Sequence, residues 1–297
     1  MKRTILFILT NIAVLAVITI VMRLFGLDGY MTQHGLNYTA LAVFAIIWGS
    51  VGSFISLAMS KRMARFAYGV SIIENPKDET EMWLLETVRR QAQQAGIGMP
   101  EVGIFRNGSP NAFATGMKRN DSLVAVSTGL LERMNKKEVE AVLGHEISHV
   151  ANGDMVTMAL LQGILNAFVI FFSRIIGYAI SSAMRGNARD IGFRAGSFIG
   201  TLIAQILLGF LAAIIINMFS RHREFKADRG GAELAGRQNM IGALEALQRS
   251  PYDSKLQGEM AAFGFTGGRA KVMLQKLLAT HPPLEERIAA LEVAEII

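Results

Sequence analysis

Two histidines four positions apart, with a glutamate directly after the first, are the residues in this chain best spaced to do chemistry: His145-Glu146-Ile147-Ser148-His149. In a helix, positions i and i+4 lie on one face a turn apart, so both imidazoles can share one cation. Imidazole nitrogen suits zinc, an ion without redox activity. Glu146 flanks such an ion without needing to bind it. A carboxylate there can take a proton from water that the ion acidifies toward a pKa of about 7, and that water can attack a peptide carbonyl polarised by the same ion. Cysteine is absent, which excludes disulfides, thiolate metal sites and a cysteine nucleophile.

A catalytic zinc usually has three protein ligands and one open position. The other histidines are His34, His222 and His281. Glu224 and Asp228 are four apart in a run that reads as helical, so they share a face. The division expected is that Glu224 binds zinc and Asp228 hydrogen-bonds the free ring nitrogen of a ligand histidine, fixing its tautomer. The bland alternative, a solvated acidic face, leaves the third ligand unassigned. A tetrahedral intermediate also needs a hydrogen-bond donor for its developing charge. His281, Arg287 and His222 are the candidates, although Pro282-Pro283 can simply start a helix whose Arg287 forms a salt bridge.

The elements that position these residues are partly membranous. The composition is 51% hydrophobic and 18% charged, against about 25% charged in average soluble proteins. Four apolar stretches are long enough to consider as spans, at residues 5–22, 36–59, 155–172 and 196–219. The first reads as a retained signal anchor, and the second is rich in glycine and serine, which suits close helix packing. The third and fourth form a hydrophobic hairpin, expected to cross twice; the alternative is a hairpin that enters the membrane only partly. A net charge of +6 reflects basic residues where apolar runs end, such as Lys2-Arg3, Lys61-Arg62-Arg65 and Arg221-Arg223-Lys226, and not a nucleic-acid surface. Basic flanks on the first two stretches, with no Lys or Arg in residues 26–35, place both termini and the site on the cytoplasmic side. His34 falls on the opposite side.

The organisation expected is a membrane anchor at 1–60, a cytoplasmic catalytic segment at 61–154, the hairpin at 155–219 and a cytoplasmic helical segment at 220–297. The catalytic segment reads as α+β. An amphipathic helix over 79–95 precedes short strands at 102–105, 112–117 and 123–127, separated by Asn107-Gly108 and Asn120-Asp121 turns. A helix over 136–152 follows, with Asn135 and Glu138 as a capping box and Gly153 as its stop. Asp154 is read as the cap of the next helix. Residues 250–268 read as loop.

Taken together, these residues resemble the HtpX family, membrane-bound bacterial heat-shock metalloproteases related to the CAAX prenyl endoprotease. The resemblance rests on Asn111-Ala112-Phe113-Ala114, His145-Glu146-Ile147-Ser148-His149, Glu224-Phe225-Lys226-Ala227-Asp228 and His281-Pro282-Pro283 through Arg287, and covers essentially the whole chain. It implies a mainly α-helical membrane protein with four apolar helices and a cytoplasmic gluzincin-type domain. It implies one Zn2+ per chain on His145, His149 and Glu224, with Glu146 as general base. It implies endoproteolysis of misfolded or damaged inner-membrane proteins as a stress response. Asn111, Ala112, Phe113, Ala114 and Thr115 match the strand that pairs with extended substrate. The partners expected are such substrates and the lipid bilayer, with no nucleic acid and the oligomeric state open. Two other readings are a membrane scaffold, with a structural zinc closed by His222 or His281 as fourth ligand, and a transporter built on Arg174. The transporter fits poorly, because too much of the chain is cytoplasmic.

Overall fold

The computed structural model describes residues 31–32, 35–183, 190–249 and 279–295. The stretch at 5–22, His34, residues 184–189 between the two hairpin stretches and the loop at 250–268 lie outside the described residues. Two compact units divide the chain: Met1–Val51 with Gly163–Phe210, and Gly52–Gln162 with Leu211–Ile297.

The first unit holds a short antiparallel pair, β1 (Met31–Thr32) and β2 (Gly35–Leu36), and the apolar parts of three helices. These are α1 (Tyr38–Tyr68), α5 (Asp154–Ala183) and α6 (Asp190–Ala235). Among the described residues three helical segments are long and apolar enough to cross a membrane, Tyr38–Tyr68, Asp154–Ala183 and Ser197–Ala235, with mean hydropathies of 2.0, 2.0 and 2.5. Their apolar side chains face outward, Ile46 and Ile206 each being more than half exposed, as lipid contact requires. Small residues bring the helices together. A Cβ on Gly49 would stand 2.4 Å from the Ala167 nitrogen, and one on Gly177 would stand 2.0 Å from Thr201 Oγ1.

All three helices outrun their apolar stretches. Arg174 does not end α5, and α6 runs 46 residues, straight through Phe219 to Ala235. Charged residues end hydrophobicity but not helical hydrogen bonding, since Arg, Lys and Glu are good helix formers. The boundaries expected at 60 and 219 therefore fall inside helices.

The second unit contains a four-stranded sheet of order β3-β4-β6-β5. It comprises β3 (Ser71–Ile72), β4 (Glu101–Phe105), β5 (Ala112–Lys118) and β6 (Asp121–Ser127). β4 and β6 are parallel, with Val102 opposite Val124; β5 runs antiparallel to β6, with Ala112 opposite Val126. β3 was not expected: two residues are too few to show alternation. The helices are α2 (Glu79–Gln94), α3 (Thr128–Arg133), α4 (Lys136–Asn152), α7 (Arg237–Gln248) and α8 (Leu284–Val293). Leu84, Val88, Val102, Val124, Val126, Leu143, Ile147, Leu244 and Leu291 form the core. Leu143 and Ile147 are fully buried and fix the rotation of α4. Positions 145 and 149, about half a turn round the helix, must then face elsewhere.

Candidate metal centre

α4 is held at both ends by the features its sequence announces. The Asn135 side chain accepts hydrogen bonds from the Lys137 and Glu138 amides, while the Asn135 amide donates to Glu138 Oε2 at 2.9 Å. Gly153 ends the helix in the left-handed region at φ 69°, a conformation glycine adopts without steric penalty.

The continuation of α6 crosses α4 where both carry glycine. A Cβ on Gly144 would lie 3.3 Å from the Gly231 Cα, and one on Gly231 would lie 3.0 Å from the His145 nitrogen. This close approach brings Glu224 and Asp228 against the two histidines. His145 Nε2 and His149 Nε2 are 3.1 Å apart. Glu224 Oε1 is 3.3 Å from His149 Nε2, and Glu224 Oε2 is 3.6 Å from His145 Nε2. All three residues are buried. One donor atom from each lies within 4.8 Å of the others, a group able to hold a metal ion.

The far side of each imidazole decides which nitrogen faces this group. His149 Nδ1 lies 2.6 Å from Asp154 Oδ2, and His145 Nδ1 lies 2.9 Å from Asp228 Oδ1. A carboxylate this close behind each Nδ1 favours the proton on that nitrogen and leaves an Nε2 lone pair pointing inward, the tautomer a metal needs. Two such lone pairs at 3.1 Å beside a buried carboxylate repel one another unless a proton or cation sits among them. Burial disfavours the charged form of His149, yet its hydrogen bonds to the Asp154 and Glu224 carboxylates outweigh it and push the ring up to about 9. His145 is raised by Asp228 and Glu224 against the same burial. The pocket therefore draws positive charge, and a metal ion fits its donor set.

Arg287 secures the arrangement from α8. Its Nε donates to Asp228 Oδ2 at 2.7 Å and its Nη2 to Asp228 Oδ1 at 2.5 Å, with Nη1 3.5 Å from Glu224 Oε2. Its donors are therefore taken up by two carboxylates. Expected as a possible donor to a reaction intermediate, Arg287 instead stands buried behind Asp228, as the salt-bridge alternative has it. His281 is brought to the cluster, its Nδ1 2.7 Å from Glu224 Oε2, and its side chain is 63% exposed. His222 is not: it is exposed, and among the described residues no hydrogen bond or ion pair joins it to the cluster, because two residues along a helix turn it about 200° from Glu224. Glu146 is half-buried and makes no hydrogen bond or ion pair with the described residues. Asn111 hydrogen-bonds Ser127 Oγ through its amide at 2.9 Å and leads into β5, where Ala112, Phe113, Ala114 and Thr115 pair with β6. α4 packs on both strands.

The sequence profile of Peptidase family M48 matches residues 78–295. The chain belongs to peptidase family M48. Protease HtpX from Thioalkalivibrio sulfidiphilus is 54% identical over 297 residues, covering 99% of this chain and 100% of that protein. Protease HtpX from Nitrosococcus oceani is 56% identical over 292 residues, covering 98% of each. The expected resemblance to the HtpX family is borne out. Among solved structures, Ste24p of S. mikatae shares the fold with a TM-score of 0.62 at 17% identity, over 84% of this chain and 58% of that one. Membership of M48, the His145–His149–Glu224 group and the apolar helices make this protein a membrane metallopeptidase.

In this M48 peptidase Asp154 does more than cap a helix, the role its position after Gly153 predicts: its carboxylate holds His149. The available signal was an acid placed just past the glycine that ends the helix.

Proposed function

We propose that this protein is a zinc-dependent endopeptidase of the inner membrane that cleaves misfolded or damaged membrane proteins on the cytoplasmic side, as part of the heat-shock or envelope-stress response. The observation that carries the zinc reading is the pair of carboxylates, Asp154 and Asp228, behind the two imidazoles. Together they turn both Nε2 atoms toward Glu224. Zinc held by His145, His149 and Glu224 would supply a Lewis acid that polarises the peptide carbonyl and acidifies water.

The chain's own residues do the rest. Glu146, with no hydrogen bond or ion pair of its own, takes the proton from the attacking water and returns it to the departing amine. His281, exposed beside Glu224, is the donor best placed to meet the developing negative charge. β5 is an edge strand, paired on one side with β6 and on the other with no strand among the described residues. Extended substrate would add to that edge through Asn111–Thr115, held by backbone hydrogen bonds with little regard for sequence. Broad specificity of this kind suits quality control. The basic flanks Lys2-Arg3 and Lys61-Arg62-Arg65 support the cytoplasmic side.

Three donors meet at the cluster among the described residues, which favours an open catalytic position over a closed structural zinc. The test is Glu146→Gln, assayed on an unfolded membrane substrate. Cleavage should be abolished while about one zinc per chain stays bound, as expected when the general base is not a ligand. Full activity in that variant would falsify the mechanism.

A further inference from the structure

The exposed face of α6 changes character at a sharp level. Leu211, Ile215 and Met218 are 55%, 42% and 60% exposed, and His222, Lys226 and Arg229 are exposed in turn. At about 100° per residue these six positions lie on one stripe some 80° wide. The part at 211–218 is apolar, the part at 222–229 is polar with the cations Lys226 and Arg229, and Glu233 ends it one turn later. About 6 Å of helix separates Met218 from His222, so the change falls within little more than one turn.

The neighbouring cations are already engaged. Arg221 donates to the Ala279 carbonyl at 2.8 Å, and Arg223 contacts Asp154 and Ser220. His222, Lys226 and Arg229, by contrast, have no ion-pair partner among the described residues. They line a cavity of about 400 Å³ with Arg287, Ala290 and Ala294 of the α8 region. The Arg287–Asp228 pair also lines it. Two cations without an ion-pair partner among the described residues, Lys226 and Arg229, with the His222 ring beside them, stand over a concavity next to an apolar stripe and make a site complementary to a molecule with an anionic head and an apolar tail.

We propose that this cavity binds the phosphate headgroup of an anionic phospholipid. The phosphate lies among His222, Lys226 and Arg229, and the acyl chains run along Leu211, Ile215 and Met218. Lysine and arginine on apolar stems reach a headgroup in this manner. Arg287 lines the same cavity while holding Asp228, so a bound headgroup sits against the residues that orient His145.

The test uses the full chain purified in mild detergent, with native mass spectrometry reading retained lipid. Phosphatidylglycerol and phosphatidylcholine are supplied in equal amounts, and inorganic phosphate is added in a separate arm. Wild type should retain phosphatidylglycerol preferentially. Lys226→Gln with Arg229→Gln should cut that retention roughly 10- to 30-fold, as two headgroup contacts imply. Lys226→Arg with Arg229→Lys should preserve it, which guards against a folding defect. Lys136→Gln with Lys137→Gln, removing the same charge elsewhere, should leave it unchanged. Equal retention of both lipids, or equal loss in the two glutamine pairs, would overturn the proposal. So would displacement of the lipid by millimolar inorganic phosphate, which would mark a site for free anions.

Discussion

Asp154 Oδ2 lies 2.6 Å from His149 Nδ1, across the left-handed turn at Gly153. Asp154 is the first residue of α5, an apolar helix, and it is buried. The helix that begins a membrane segment therefore also sets the tautomer of a metal-binding histidine. Arg223 Nη1, 3.8 Å from the same carboxylate oxygen, adds α6 to this junction. Both apolar helices thus have a residue directly behind the cluster.

Asp154→Asn tests that relationship. The amide keeps the volume but removes the charge that favours an inward lone pair on His149. Metal affinity, measured by competition with a chelator, should fall about 10- to 100-fold, as is usual when such a partner is lost. Excess zinc should restore much of the activity, because no ligand has been removed. Unchanged affinity would mean that Asp154 merely caps α5.

The contrast with α4 shows what a sequence can and cannot disclose. Asn135, Glu138 and Gly153 are local signals, and each is realised as expected. Glu224 is legible because two histidines require a third ligand and few residues can supply it. The contact of Asp154 with His149 is not, because it depends on the direction in which the chain leaves Gly153. The approach of His281 to Glu224 spans 57 positions and has no local signature. The length of α6 is not legible for a different reason. Hydropathy marks where lipid contact stops, and the helix continues past that point.

Gly231→Val should dismantle the site without touching a ligand. A Cβ there already stands 3.0 Å from the His145 backbone nitrogen and 3.2 Å from its Cα, so a branched side chain must push α6 off α4. The Glu224 carboxylate would move with it. Zinc content after dialysis and peptidase activity should fall together. A fully loaded, active variant would show that the helices tolerate wider spacing.

Arg287 is expected to matter through geometry as well as charge. Its fork meets both oxygens of Asp228, a match lysine cannot make. Arg287→Ala leaves a buried carboxylate paired only with His145, which should cost about 3–5 kcal/mol in stability. Arg287→Lys should restore part of that stability but little of the metal affinity. If lysine restores both fully, the bidentate contact has no special role.

The same buried carboxylates predict a pH dependence once the metal is removed by chelation. Burial opposes the charged form of His149, but Asp154 and Glu224 prevail and hold its pKa at about 9, against an ordinary 6.5. A folded-state value above the unfolded one means that the folded chain binds the proton more tightly. That stabilisation is complete below about pH 6.5 and disappears as the pH rises through about 9, and His145, raised in the same direction, acts with it. The chelated protein should lose a few kcal/mol across this window, read as a falling denaturant midpoint between pH 6.5 and pH 9. Metal affinity should rise over the same range as protons cease to compete for the ring nitrogens. Asp154→Asn should flatten the stability profile, since one of the two groups holding the proton on His149 is gone. A chelated protein equally stable at both ends of the window would show that the cluster does not hold that proton.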